Sequence, residues 1–238
     1  MDYGEADRIL TLYTPDHGKL HAIAKGVRRS KSRSAGHLDL FSRTSVLIAQ
    51  GRNLGVASQA QLLEHFDGLR TNLTASGYAH YVCELIDSFV PDGLANRVLY
   101  HQHVSTLRNL AAGQSILTVR AFELSLLDAA GYRPELHHCL GCGSEIVPGK
   151  NHFSVALGGV LCPDCVADDI GAKAISDPAL KLLRNLQINP TQVLKLESVD
   201  TRVGREIETR LHEYISYRLE RRPKSVSVLE RIESRLAG

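Results

Sequence analysis

The chain has 238 residues, 43% of them hydrophobic and 23% charged, with a formal net charge of +2. That balance excludes a disordered or fibrous chain and suffices for one or two hydrophobic cores. The apolar run Val155–Leu161 spans seven residues, two of them glycine, far below the ~18 or more a membrane span needs. The start Met1-Asp2-Tyr3-Gly4-Glu5 has neither the basic nor the apolar stretch of a secretion signal, so a cytoplasmic, nucleoid-associated location is expected.

From residue 5 to about 65 the pattern is short and strand-like. Ile9–Tyr13, Lys19–Ala24, Thr44–Ala49 and Gly55–Ala60 alternate in the period of half-buried strands, with a turn at Thr14-Pro-Asp-His-Gly18. A small all-β barrel is the expected result. Between its second and third strands runs a polar, basic loop, Lys25–Gly36. The wider segment Lys19–Arg52 sets eight basic residues against the single Asp39, a local charge of +7. The tail Arg218–Arg235 sets six basic residues against Glu220, Glu230 and Glu233, a local charge of +3. Charge segregated in this way points to a polyanionic partner even in a nearly neutral chain.

After about residue 76 the period becomes helical. Val82, Leu85, Ile86 and Phe89 share one face, as do Val119, Phe122, Leu126 and Ala130 before Gly131. A third stripe, Val203, Ile207, Leu211, Tyr214 and Ile215, follows a cap at Asp200 or Thr201. Pro178 is expected to start a helix and Pro223 to end the last long one.

Four of the five cysteines form two Cys-x-x-Cys knuckles, Cys139-Leu-Gly-Cys142 and Cys162-Pro-Asp-Cys165, nineteen residues apart. Each knuckle converges two thiolates on one point, and the pair completes a tetrahedral tetrathiolate site of the kind zinc prefers. With no open coordination position, such an ion serves folding. The hairpin between the knuckles, around Val155–Leu161, argues for a ribbon over a single redox dithiol. His137, His138 and His152 read as bystanders and Cys83 as core. The metal is expected to hold a hairpin with almost no core of its own.

Tyr3-x-Glu5-x-Asp7, Thr14 with Gly18-Lys19, Ala24-Lys25-Gly26-x-Arg28-Arg29 with Lys31-Ser32, and Leu38-x-Leu40-Phe41 occur in that order. Phe122-Glu-x-x-Leu126-Leu127, Gly131-Tyr132, the two knuckles and Leu219-x-x-Arg222-Pro223-Lys224-Ser225 follow. In this order the motifs resemble the RecO family of bacterial DNA repair proteins over nearly the whole chain. The resemblance implies an α+β fold with an N-terminal OB-fold domain over residues 1–76. A helical domain over 77–137 and 168–238 would follow, interrupted by a zinc-binding insertion at 138–167. It also implies a recombination mediator that binds single- and double-stranded DNA, anneals complementary strands and, with RecR, helps load RecA onto DNA covered by single-strand-binding protein. The family usually begins with an apolar strand before Tyr-x-Glu, whereas here Met1 nearly abuts that motif, so an incomplete first strand and two exposed sheet edges are expected.

Single-strand binders pair a basic groove with aromatic platforms, yet the chain has no Trp and the barrel region offers only Tyr3, Tyr13 and Phe41. Phosphate contacts should therefore dominate, giving binding without sequence preference that weakens steeply with salt. Lys19, Lys25, Arg28, Arg29, Lys31, Arg33 and Arg52 are the candidate phosphate track, with Arg221, Arg222 and Lys224 as a second patch. The C-terminal tail of single-strand-binding protein, a partner the resemblance implies, calls for an apolar pocket with a cation at its rim. Arg120 or Arg133 beside Val119, Phe122 and Leu126 is the candidate. No carboxylate cluster for Mg²⁺, His-Glu-x-x-His, nucleophile elbow or complete P-loop is present, so catalysis and a small-molecule substrate are not expected. A zinc-ribbon factor acting on RNA or in transcription is the alternative reading.

Overall fold

The structure is a computed structural model and describes residues 1–29, 36–51, 53–114, 116–194 and 199–236. Its first strands are β1 (Asp2–Tyr3), β2 (Asp7–Thr14), β3 (Gly18–Ala24), β4 (Ser42–Ala49) and β5 (Gly55–His65). They form one sheet in the order β1-β2-β3-β5-β4, antiparallel except for the β3–β5 pair, where Ala22 opposes Gly55 and Ile23 opposes Val56. β4 shows why alternation makes a strand here: Ser42, Thr44, Val46 and Ile48 are half-buried and the residues between them are exposed. Leu10, Val46, Ala57 and Ala60 pack against buried Ala24, Val27 and Leu38 on one face. Two register shifts along β4–β5, at Arg43/Thr44 and Leu47/Ile48, bend that pair.

The sheet is OB-like but does not close into a barrel. Among the described residues β1 is two residues long and pairs only with β2, and β4 ends the strand order on the other side. The two exposed edges expected from the sequence are present.

The β2–β3 turn depends on glycine. Gly18 adopts φ +63, and a Cβ at that position would lie 2.3 Å from the carbonyl oxygen of Leu94, so any side chain would displace the backbone it meets. Thr14 Oγ1 donates to the Gly18 carbonyl at 3.0 Å and accepts from the His17 N–H at 3.1 Å, closing the loop.

Three helices follow: α1 (Gly68–Thr71), α2 (Leu73–Phe89) and α3 (Arg97–Ala111). Asn72 caps α2 by accepting from Ala75 N, and Asn96 caps α3 by accepting from Leu99 N, both at 2.9 Å. Tyr81, Val82 and Leu85 of α2 are fully buried, the two aliphatic side chains contributing roughly 1.5–3 kcal/mol each. From α2, Cys83 meets His103 Nε2 of α3 at 3.9 Å, and burial pushes its thiol up to about 12. The residue is half-buried and so borders the core in which the sequence placed it. The sheet and these helices form one compact unit, Met1–Gly113 with the chain end from Ile232; Gln114–Arg231 form the second. Compactness thus divides the chain at Gly113, whereas the sequence places a boundary at residue 76.

The second unit starts with α4 (Leu117–Ala129), which stops where predicted. Gly131 takes φ +79 and Tyr132 N donates to the Leu127 carbonyl at 2.7 Å, a glycine-dependent helix end. Strands β6 (His152–Ser154), β7 (Gly159–Leu161) and β8 (Lys173–Ala174) form a small sheet in the order β7-β6-β8. α5 (Asp177–Ile188), α6 (Pro190–Val193), α7 (Thr201–Arg218) and α8 (Lys224–Leu236) complete the chain. Pro178 does stand in the first turn of α5, and Ser176 caps that helix through Ala179 N at 3.3 Å. Ser176 also donates to both carboxylate oxygens of Glu206, at 2.6 Å each, fastening α5 to α7. Asp200 caps α7 by accepting from Arg202 N and Val203 N. Pro223 plays a different part from the one expected: α7 has already ended at Arg218, and Pro223 opens α8, its carbonyl accepting from Val226 N at 3.2 Å.

Candidate metal centre and nucleic-acid interface

The first knuckle is set by a single carboxylate. Glu135 Oε1 accepts from the N–H groups of His137 and His138, at 2.7 and 2.9 Å, and so fixes the approach to Cys139. Cys139 N donates to Ser144 O and Gly143 N to Cys139 O, both at 2.8 Å, which folds residues 139–144 into a tight loop. Gly143 has φ +75, and a Cβ on Gly141 would lie 2.8 Å from the Cys165 sulfur, so both glycines are needed for the knuckles to approach. The second knuckle closes with Cys165 N donating to Cys162 O at 3.1 Å.

The four sulfurs of Cys139, Cys142, Cys162 and Cys165 lie within 4.8 Å of one another. Cys142 and Cys162 are 3.8 Å apart, close to the ~3.8 Å edge of a tetrahedron with ~2.3 Å metal–sulfur bonds. Burial pushes the Cys139 thiol up, but N–H groups of Cys162, Cys142 and Gly141 aimed at its sulfur more than offset that and bring it down to about 6. Hydrogen bonding with Ser144 lowers Cys142, while the contact with Cys162 raises Cys165. A shared cation would resolve this crowding of thiols by taking all four as thiolates. The donor set fits a closed structural metal site. No histidine belongs to the cluster.

The hairpin is better anchored than its length suggests. Ile146, Phe153, Val160 and Leu161 are almost wholly buried, and the Phe153 ring meets Tyr214 of α7 edge-on at 5.6 Å. Arg184 of α5 donates to the carbonyls of Leu136 and Ile146, at 2.8 and 3.2 Å. The expectation of a hairpin with almost no core of its own is therefore overturned: β6 and β7 are docked on helices, and a metal held by the four cysteines would have only the knuckle tips to order.

The basic track divides. Lys25, Arg28 and Arg29 are exposed on the turn that leaves β3. Gly26 holds that turn with φ +63 while its N–H donates to Asp7 Oδ1 at 2.7 Å, and Arg28 N donates to Ala6 O at 3.0 Å. Arg28 lies 3.5 Å from Asp2, an exposed pair too weak to hold it from another anion. Lys25 and Arg29 have no carboxylate within ion-pair distance among the described residues. Lys19 must be removed from the track. It is 8% exposed, donates to the Asp87 carbonyl at 2.6 Å and pairs with Asp87 and Asp92 at 3.4 and 3.3 Å. Its charge ties β3 to the end of α2. Lys31, Arg33 and Arg52 lie outside the described residues. In the second patch Arg221, Arg222 and Lys224 are exposed, with Arg222 paired to Glu230. Tyr13 is half-buried and packs on Tyr100 and His103, whereas Tyr3 is half exposed.

Family models for the N-terminal and C-terminal parts of recombination protein O match residues 1–66 and 70–227. The chain belongs to the RecO family. It is 42% identical to a DNA repair protein RecO of Roseiflexus sp. (strain RS-1) over 99% of this chain and 83% of that protein. A DNA repair protein RecO of Desulforudis audaxviator is 39% identical over 96% of this chain and 91% of its own length. One of Dehalococcoides mccartyi (strain 195) is 37% identical over 95% and 90%. Several motifs that carried the RecO resemblance are structural on inspection: Asp7 and Gly26 lock the basic turn, Gly18 makes the β2–β3 loop, and Gly131 ends α4.

Arg120, in the Phe122-Glu123 segment of that RecO resemblance, is not a rim residue. It is 1% exposed, 3.3 Å from Glu123 and 3.4 Å from Glu208, and its Nη1 donates to His212 Nε2 at 3.2 Å. Burial, then the charges of Arg120 and Arg222, hold His212 down to about 3, so the ring is neutral, and the Arg120 donor calls for the tautomer with the proton on Nδ1. The sequence pattern hid this because Arg120 sits next to core positions on an almost fully buried helix. Arg120→Ala would leave the fully buried Glu123 carboxylate without its guanidinium, and a loss of about 3–5 kcal/mol is expected in chemical denaturation. Loss below about 1 kcal/mol would show that the network is not holding the helices. Arg133 is exposed, 3.6 Å from Asp128.

One cluster was missed in the sequence. Tyr214, Tyr217 and Arg218 stand at i, i+3 and i+4 of α7, a spacing that puts them on one face, and Tyr132 joins them. Among the described residues, no helix is long and apolar enough to cross a membrane.

Proposed function

We propose that this protein is a non-catalytic recombination mediator that grips DNA through phosphate without reading sequence, anneals complementary strands, and acts with RecR to load RecA onto DNA coated with single-strand-binding protein. The observation that carries this reading is the locked basic turn, Lys25 to Arg29, exposed on an open OB-like sheet in a member of a DNA repair family. Three closely spaced cations on a fixed backbone suit a line of phosphates. Lys31 and Arg33 extend the positive run in sequence. The tetrathiolate centre takes one structural zinc, held by Cys139, Cys142, Cys162 and Cys165. Family membership supports the partner assignments. For the tail of single-strand-binding protein, burial removes Arg120 and leaves the exposed Arg133 as the candidate cation.

Equilibrium binding to single- and double-stranded oligonucleotides of scrambled sequence tests the grip. Comparable affinities across sequences are expected, for both strand forms. A preference of more than about tenfold for one sequence would indicate base readout and overturn the reading.

A further inference from the structure

At the C-terminal end of α7 the Arg218 guanidinium lies over three tyrosine rings: 4.9 Å from the centroid of Tyr214 and 5.4 Å from those of Tyr132 and Tyr217. Its Nη2 donates to the carbonyls of Val155 and Ala156 at 3.2 Å, and the Tyr214 hydroxyl donates to the Tyr132 carbonyl at 3.0 Å. A Cβ on Gly158 would come within 2.8 Å of that guanidinium nitrogen and 2.9 Å of the tyrosine hydroxyl, so the β6–β7 turn is fitted around this group. The arginine is fixed in place, yet no carboxylate of the described residues lies within ion-pair distance of it, and its buried Nε makes no hydrogen bond.

Beside it opens a cavity of about 470 Å³ lined by Tyr132, Tyr217, Arg218 and Glu220. Tyr132 is 41% exposed and Tyr217 49%, so each ring offers surface to a ligand. Glu220 holds φ +53 in the turn that ends α7, where Arg221 N donates to Ser216 O at 3.1 Å. Glycine is the usual residue at such a position; here a carboxylate is kept at the cavity rim despite the conformational cost. Arg221, Arg222 and Lys224 follow within six residues of Arg218, all exposed.

We infer that this cavity is a stacking platform for one unpaired nucleotide of a single strand, with Tyr132 and Tyr217 taking the base, Arg218 its phosphate and Glu220 an N–H of the base edge. The inference rests on the nucleic-acid reading above and adds a base-stacking subsite to it. Each part of the ligand is called for by a separate observation. Exposed aromatic faces take a flat π system whatever its sequence. A fixed guanidinium without a counter-ion takes an anion. A rim carboxylate accepts from an amino or imino group, as carboxylates do from cytosine N4. The run of cations beyond the cavity suits a ligand whose negative charge continues past one residue, which favours a strand over a small acid. Duplex DNA, its bases stacked inward, cannot use the platform.

The test compares the full-length, metal-loaded protein and Tyr217→Ala on a labelled thymidine strand and on a strand of equal length and phosphate number carrying abasic sites. The wild type is expected to bind the thymidine strand at least about fivefold more tightly than the abasic one, the equivalent of one base stack. Tyr217→Ala should erase that preference while leaving abasic and duplex binding and the salt dependence unchanged, and Tyr217→Phe should retain it. Equal wild-type affinity for both strands, or an equal loss on both in Tyr217→Ala, overturns the platform and leaves phosphate binding standing. A wild type that binds neither strand overturns the proposed function as well. An acidic peptide ending in phenylalanine whose binding is abolished by Tyr217→Ala, with strand binding untouched, would assign the cavity to a protein tail and overturn the platform.

Discussion

Cys142→Ser is expected to reduce the metal content of the purified protein from one zinc per chain to less than about a tenth of that, and to open the knuckle tips to protease. The four sulfurs already lie within 4.8 Å of one another, so the chain has brought the donors together and only their mutual repulsion as thiolates remains to be relieved by the ion. Structural zinc in small peptides is bound with roughly 10–16 kcal/mol, much of it spent on folding. Here less folding depends on it, because Phe153, Val160 and Leu161 are buried against the rest of the unit. Damage should therefore be local: cleavage around Gly141–Ser144 and Pro163–Asp164, with the helical content retained. Elemental analysis and limited proteolysis read both effects. A variant that keeps stoichiometric zinc, or a wild type isolated without any, would remove the metal centre from the account.

The second large effect concerns the basic turn. Contact with about five phosphates gives a slope of log affinity against log salt of about −3.5 for a single strand, at roughly −0.7 per contact. Reversing Lys25, Arg28 and Arg29 to Glu should flatten that slope by about 2 and weaken binding by more than about tenfold at 0.1 M salt. The variant should fold, since all three side chains are exposed and the turn is held by the backbone N–H groups of Gly26 and Arg28. An unchanged slope would move the phosphate track to Arg221 and Lys224.

How far the sequence showed this molecule depends on what each signal measures. Strand alternation and helix stripes report burial on one face, and so β2 to β5, α2, α4 and α7 were legible, as was the α4 stop at Gly131. The knuckles were legible because metal chemistry constrains both residue type and spacing. The open barrel was legible only through the family resemblance, in which Met1 nearly abuts the Tyr3-x-Glu5 motif, because pairing at a sheet edge leaves no local pattern. Charge was the weakest guide. Lys19 looks like its basic neighbours in the sequence, but Asp87 and Asp92, some seventy residues on, neutralise it. Arg120 failed for the same reason, its carboxylate partners lying on the same turn and on α7. A count of cations cannot tell a solvated arginine from a buried one; only the distant partner decides.

Strand annealing tests the central claim most directly. Two complementary oligonucleotides, one carrying a fluorophore and the other a quencher, are mixed with zinc-loaded protein in the absence of nucleotide and Mg²⁺. The account predicts that the wild type speeds annealing well above the spontaneous rate, that added salt suppresses the gain, and that the Lys25, Arg28, Arg29→Glu variant loses most of it. Annealing at the spontaneous rate with wild-type protein, under conditions where it binds both strands, would contradict it.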